Sequence, residues 1–276
     1  MANIKAADVA KLRKMTGAGM MDCKKALGET DGDFDLAIDI LRKRGQKIAS
    51  KRADREATEG AVIAVTSEDN KKGVMICLNC ETDFVAKNDD FVAFAQGIAE
   101  VALAEMPETI EDLKALEVNG KKIDDEITNQ TGVIGEKIEL SYYSKSEGPF
   151  VIGYIHPGNK LATMATLSQE VEDIQIAKDV AMQVAAMNPV SVSKDDVPQE
   201  VVDKELQIGR EQALEEGKPE SIIDKIAQGK LNKFFKENTL LSQQFIKDNK
   251  TTVSEYLDQT SKGLTVTAFY RFSLSV

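Results

Sequence analysis

The sequence predicts an α+β protein built around more than one core. Three observations carry that prediction. Over the first sixty residues, apolar side chains recur at the helical period of 3.6. From Gly60 the period changes to two, with apolar runs at 61–65 and 74–78 on either side of a polar turn. The order of hairpin and then helix recurs after Glu147, as a faint internal repeat. A chain of 276 residues with 42% hydrophobic composition also holds more apolar material than one core usually takes.

The first stripe, Val9, Leu12 and Met15, ends at Thr16-Gly17-Ala18-Gly19, a turn with two residues free to take positive φ. Asp22 is placed to cap a second helix through Leu27, which Gly28 closes. After the polar stop at 29–32, Phe34, Ala37, Ile38 and Leu41 form a third stripe. Three short helices over residues 1–55 are expected to make a bundle of the ubiquitin-associated type. The cations Arg42, Lys43, Arg44, Lys47, Lys51, Arg52 and Arg55 then read as a solvated helical linker.

Residues 56–143 are expected to form the first β-hairpin–helix subdomain. Its helix buries Phe91, Phe94, Ala95, Ile98, Ala99, Val101 and Ala102, and a further strand runs over 137–143. Residues 144–197 with 237–276 form the second. There Glu147-Gly148 repeats the entry Glu59-Gly60, residues 161–167 repeat the second strand, and Ile176, Val180, Val184 and Met187 repeat the helix. Residues 198–236 interrupt it with an antiparallel coiled-coil arm, in which Val201, Val202, Leu206 and Leu214 face Ile222, Ile223, Ile226, Leu231 and Phe235 across the turn at 216–219. The copies differ at one junction. Strand passes to helix through residues 168–173 in the second copy, but through the longer run at 79–90 in the first, where Phe84 and Val85 fall in a turn. Phe84 has two readings of equal weight: a staple packing back on the helix near Asp90, or an exposed wedge.

Composition removes several function classes. Thirty-five Lys and Arg against 46 Asp and Glu leave a charge of −11, which argues against direct nucleic-acid binding. A lone histidine, His156, argues against His-rich metal sites and His-based triads. No apolar run reaches membrane-span length, and residues 1–10 have no apolar signal region. Three cysteines without an export signal point to a reducing, cytoplasmic setting. Cys77 and Cys80 are formally a C-x-x-C, but they fall late in a strand, where residues three apart face opposite ways. Thr16-Gly17-Ala18-Gly19-Met20 lacks the spacing of a phosphate loop and follows a helix. No metal site, cofactor site or enzyme site emerges. What is left is Asp83-Phe84, a methionine-tipped helical module and the arm, which are tools for acting on another protein. A passive binding adaptor and a thiol oxidoreductase are the alternatives.

Two stretches carry a resemblance that favours one reading. Leu12-Arg13-Lys14-Met15-Thr16-Gly17-Ala18-Gly19-Met20-Met21-Asp22-Cys23-Lys24-Lys25-Ala26-Leu27 resembles the first signature of the bacterial translation elongation factor Ts family. Leu78-Asn79-Cys80-Glu81-Thr82-Asp83-Phe84-Val85-Ala86-Lys87 resembles its second. The similarity extends from residue 1 to about 272. It implies a non-enzymatic guanine-nucleotide exchange factor for elongation factor Tu·GDP. Thr82, Asp83, Phe84 and Val85 would be the segment that dislocates the partner's Mg²⁺, and Arg13, Met20, Lys24 and His156 would be partner contacts. The resemblance also allows a homodimer within a 2:2 complex. Three departures stand out: Cys77 replaces the usual Glu, Pro157 follows His156, and the chain stops at Val276 where longer members continue into a helical module.

Overall fold

Helices α1 (Ala6–Thr16), α2 (Met20–Glu29) and α3 (Phe34–Arg52) open the chain; the computed structural model describes residues 4–274. Gly17 ends α1 at φ 71 and returns its N–H to the Arg13 carbonyl, a left-handed cap that glycine takes without a Cβ clash. Gly19, by contrast, sits at φ −57 and opens α2. Asp22 does not cap: it lies in the first turn of α2, where the helix dipole favours its charge. Gly28 does not stop α2, which runs on to Thr30, whose hydroxyl donates to the Ala26 carbonyl at 3.0 Å. Asp33 caps α3 by accepting from the Leu36 amide. Val9, Leu12, Cys23, Ala26, Leu27 and Ala37 share one core, while Met15 turns outward.

Strands β1 (Glu59–Thr66) and β2 (Lys72–Cys80) form a hairpin in unbroken register from Glu59↔Cys80 to Thr66↔Gly73. The one-turn helix α4 (Asp83–Ala86) leads to α5 (Asp89–Glu105), which buries Phe91, Ala95, Ile98, Ala99 and Ala102 as a single stripe. Then come α6 (Ile110–Ala115), the short hairpin β3 (Glu117–Val118) and β4 (Lys121–Lys122), and α7 (Ile123–Ile134). Strand β5 (Glu139–Glu147) completes a sheet of order β1-β2-β5.

The second half repeats this plan. Strands β6 (Phe150–Ile155) and β7 (Leu161–Leu167) precede α8 (Ile174–Met187). A helical hairpin, α9 (Gln199–Glu215) and α10 (Glu220–Asn238), is inserted next. The short hairpin β8 (Gln244–Phe245) and β9 (Asp248–Thr252), then α11 (Val253–Thr260), return the chain to β10 (Val266–Ser273) beside β7. The repeat is therefore longer than its sequence pattern. In both halves a small hairpin and a helix deliver a third strand to the same side of the sheet.

Each sheet packs one face on its own helix and the other on the other sheet. Ala61, Ile63, Ile76 and Leu78 meet α5, and Ile152, Ala165 and Leu167 meet α8. Between the sheets lie Val62, Met75, Cys77, Ala162, Tyr142 and Phe272. Burial on both faces is why these strands read as continuous apolar runs, each large side chain contributing ~1.5–3 kcal/mol.

Two expectations about helices are corrected. The cationic stretch of α3 is not just a solvated linker: α3 crosses α7 so closely that a Cβ on Gly132 would lie 2.3 Å from Gly45 Cα. The approach demands glycine at 132, whereas a Cβ on Gly45 would meet Gly132 Cα at an ordinary 3.5 Å. Arg44 pairs with Glu29 and Arg52 with Glu81, each at 2.7 Å. In the α9–α10 hairpin, Leu214 and Ile222 are exposed. The contact is made by Gly209, Ala213, Ile223, Ala227 and Leu231, because a small-residue strip lets the helices approach more closely than leucines would.

Candidate functional site

The junction between β2 and α5 stands apart from the rest of the surface. Thr82 is extended (φ −124, ψ 153), and its hydroxyl faces the Val85 amide at 3.5 Å, opening the single turn of α4. Asn88 then closes the junction by accepting from the Asp90 and Phe91 amides, which starts α5. Ala86 is buried and Val85 packs against the core, so the turn is tied down on its inner side. Phe84 lies on the outer side and is 84% exposed. The staple reading of Phe84 is thereby overturned, and the expected turn is one turn of helix. An aromatic side chain this exposed loses the burial that normally holds it in a fold, so its place on a fixed turn asks for a function.

The charges around it are arranged. Asp83 accepts from Lys87 at 2.6 Å, and that bond holds its carboxyl below the ordinary value and Lys87 above its own. Lys160, in the β6–β7 turn, also helps to hold Asp83 down. The same turn is fastened to β1: Lys160 pairs with Glu59 at 2.8 Å, and the Val62 amide donates to the Asn159 carbonyl at 2.7 Å. His156 begins that turn, exposed, with its Nδ1 3.0 Å from the Tyr154 hydroxyl. The His156 turn and the Asp83-Phe84 turn, far apart in sequence, are therefore neighbours. Glu81 anchors the upstream side. Its carboxyl is lowered chiefly by the Lys137 amide at 2.6 Å and also by Arg52.

Met20 and Lys24 lie one turn apart on the exposed face of α2, and Arg13 is exposed on α1, with Met15 and Met21 also outward. They form a second surface on the N-terminal bundle. A groove of about 350 Å³ opens between the α1–α2 turn, α3 and α7, lined by Met15, Ile38, Leu41, Ile48 and Val133. It shares no residue with the turn at 82–85, which is a protrusion and not a pocket. Sequence reasoning missed the roles of Arg52, Glu136 and Lys160, since no spacing signals contacts made across 29 to 101 residues.

One thiol touches the junction, since Cys80 Sγ donates to the Thr82 carbonyl at 3.2 Å. Cys77 lies between the sheets and Cys80 beneath α5, and burial pushes both up to about 12. Among the described residues, no group of three or more His, Cys, Asp or Glu side chains could hold a metal ion, and no helix is long and apolar enough to cross a membrane.

Comparison with known proteins adds an independent line. A family profile described as "Elongation factor TS" matches residues 81–275. A protein named elongation factor Ts from Christiangramia forsetii is 56% identical over 275 residues, covering 99% of this chain and 100% of that relative. Proteins of the same name from Porphyromonas gingivalis and Flavobacterium psychrophilum are each 52% identical. The first of these covers 97% of both chains, the second 99% of this chain and 100% of its own.

Proposed function

The chain belongs to the elongation factor Ts family, and on that premise we propose that it is a guanine-nucleotide exchange factor acting on elongation factor Tu·GDP. It disturbs the partner's Mg²⁺ and phosphate site, promotes GDP release and lets GTP bind during translation elongation. In this scheme the chain makes and breaks no covalent bond. The observation that carries the reading is Phe84, 84% exposed on a turn whose other side is packed into the core.

Mg²⁺ bridging the phosphates of a nucleotide demands near-octahedral geometry and tolerates little displacement. Asp83 and Phe84 can act by entering between elements of the partner and shifting the one that bears a metal ligand, without touching the nucleotide. Coupling is reciprocal, so what the factor takes from GDP affinity GDP takes from the factor's own. Moving an equilibrium from ~1:99 to ~99:1 needs about 5.5 kcal/mol of differential binding, whereas one buried aromatic supplies ~1.5–3 kcal/mol. The wedge therefore needs a grip. Arg13, Met20 and Lys24 offer one on the bundle, and His156 another on the β6–β7 turn, both exposed.

Finer parts of the reading follow the family. The bundle is taken as ubiquitin-associated-like (1–55), the core as two subdomains (56–143; 144–197 with 237–276), and the hairpin at 198–236 as an antiparallel coiled-coil arm. The work is placed in the cytoplasm, with no direct nucleic-acid contact, and a homodimer within a 2:2 complex is part of the proposal. The test is release of fluorescently labelled GDP from elongation factor Tu, with wild type and with Asp83→Ala/Phe84→Ala. The double variant should bind the partner yet lose most of the acceleration; undiminished exchange would overturn the wedge.

A further inference from the structure

The turn that carries Phe84 has no stiffness of its own. Four residues of helix fall far below the ~12–15 at which an isolated helix is marginal in water. The amides at its entry also need acceptors, and the Thr82 hydroxyl is a distant one at 3.5 Å. The close acceptor comes from elsewhere. Glu136, half-buried in the connection between α7 and β5, sends one carboxylate oxygen to the amides of Glu81 and Thr82 at 3.1 and 3.0 Å. Its other oxygen accepts from the Thr82 hydroxyl at 2.7 Å. Glu81 answers by accepting from the Lys137 amide at 2.6 Å and from the Arg52 guanidinium at 2.7 and 2.9 Å.

The two segments thus clasp each other, each glutamate taking backbone N–H groups of the other. Charge-assisted bonds of this kind are among the strong ones. Gly135 in left-handed conformation (φ 80) turns the chain at the end of α7, directly before Glu136. Arg52 extends the clasp to the last turn of α3, the helix that links the N-terminal bundle to the core.

We propose that Glu136 is a positioning residue for exchange: its carboxylate, clasped to residues 81 and 82, presents Phe84 to the partner already ordered. The inference rests on the reading of Thr82, Asp83, Phe84 and Val85 as the partner-directed segment. Without the clasp, the turn must be ordered during binding, and that conformational entropy is subtracted from the step that loosens GDP.

The test uses the full chain as wild type, Glu136→Ala, Glu136→Gln and Phe84→Ala. Release of labelled GDP from elongation factor Tu is followed over a range of factor concentrations. Glu136→Ala should lower the maximal release rate on the order of tenfold, equivalent to about 1.4 kcal/mol, and leave the half-saturating concentration nearly unchanged. Glu136→Gln, which keeps an oxygen for the two amides, should recover most of the rate. Hydrogen exchange should quicken at the amides of Glu81 and Thr82 and stay unchanged in α5. A full maximal rate for Glu136→Ala, with Phe84→Ala impaired, overturns this inference and leaves the wedge standing. Full rates for both variants bring down the underlying reading as well. Parallel loss of rate, affinity and thermal stability with no rescue by glutamine makes Glu136 merely structural and also overturns it. Should Glu136→Ala fail to fold, Thr82→Val removes one of the three bonds, and an unaltered rate there refutes the clasp.

Discussion

The two sheets of the core are built alike, yet β2 and β7 leave them differently. Both strands feed a helix capped by a short polar side chain, Asn88 for α5 and Asp173 for α8. The second junction takes six residues from Leu167 to Ile174, and its one apolar side chain, Val171, packs back on the core. The first takes eight from Cys80 to Asp89, and they are spent on a turn of helix that points an aromatic ring at solvent. Nothing in the surrounding scaffold requires this, since the sister junction joins the same elements with less. The difference is that only the first junction carries an exposed aromatic, on a turn that Val85 and Ala86 pack against the core and that Glu136, Glu81 and Arg52 bond from outside it.

Replacing residues 81–88 with the second copy's Ser168-Gln169-Glu170-Val171-Glu172-Asp173 should break the comparison most severely. Asp173 supplies the cap that Asn88 provided, so the helical circular dichroism should be retained. Stimulated GDP release should fall to the partner's spontaneous rate. Retained stimulation would show that the first junction carries no special role.

A second contrast concerns the glycines at the two hairpin entries. A Cβ on Gly60 would lie 2.3 Å from the Leu78 carbonyl oxygen and 2.8 Å from Asn79 Cα, which are backbone atoms of the paired strand. A Cβ on Gly148 would lie 2.4 Å from Thr166 Cγ2, a side chain that can rotate at the expense of its 2.7 Å bond to Ser146. Gly60→Ala should therefore cost roughly 3 kcal/mol and Gly148→Ala roughly 1 kcal/mol, within the usual range for overpacking. Urea denaturation of the two variants checks the order, and the reverse ranking would show that the backbone clash at Gly60 does not set the cost.

Much of this was legible in sequence because it is local. The strands at 61–65 and 74–78, the stripe of Phe91 to Ala102 and the small residues of the α1–α2 turn follow from period and turn chemistry. The errors share one physical origin. Local capping rules place Asp22 at the start of α2 and Gly28 at its end, but with Cys23, Ala26 and Leu27 packed in the core α2 begins at Met20 and runs one residue past the glycine, to Glu29. Hydrophobicity alone places Leu214 and Ile222 in the helical seam, whereas the close approach of Gly209 to Ala227 decides it. At the site, Asp83-Phe84 was visible as an odd insertion, but the choice between staple and wedge was not. The contacts around that turn come from Glu136 and Arg52, whose partners lie 54 and 29 residues away, beyond the reach of any local pattern.

Alkaline titration gives the mildest separation of the two halves. Cys77 and Cys80, both in β2, are raised from 9.0 to about 12 by burial, while β7 contains no cysteine. A raised folded value means the native state holds these protons longer than the unfolded chain. The stability they contribute is whole below pH 9 and is lost progressively as pH rises toward about 12. Tyr143 in the first half and Tyr256 in the second are raised from 10.0 to about 12, so their losses begin one pH unit later. Between pH 9 and 10 the first half should therefore weaken alone. Urea midpoints at pH 8 and at pH 9.8 should fall further in wild type than in Cys77→Ala/Cys80→Ala, whatever the variant's starting stability. Equal slopes would mean that the two thiols are not the source of the alkaline loss.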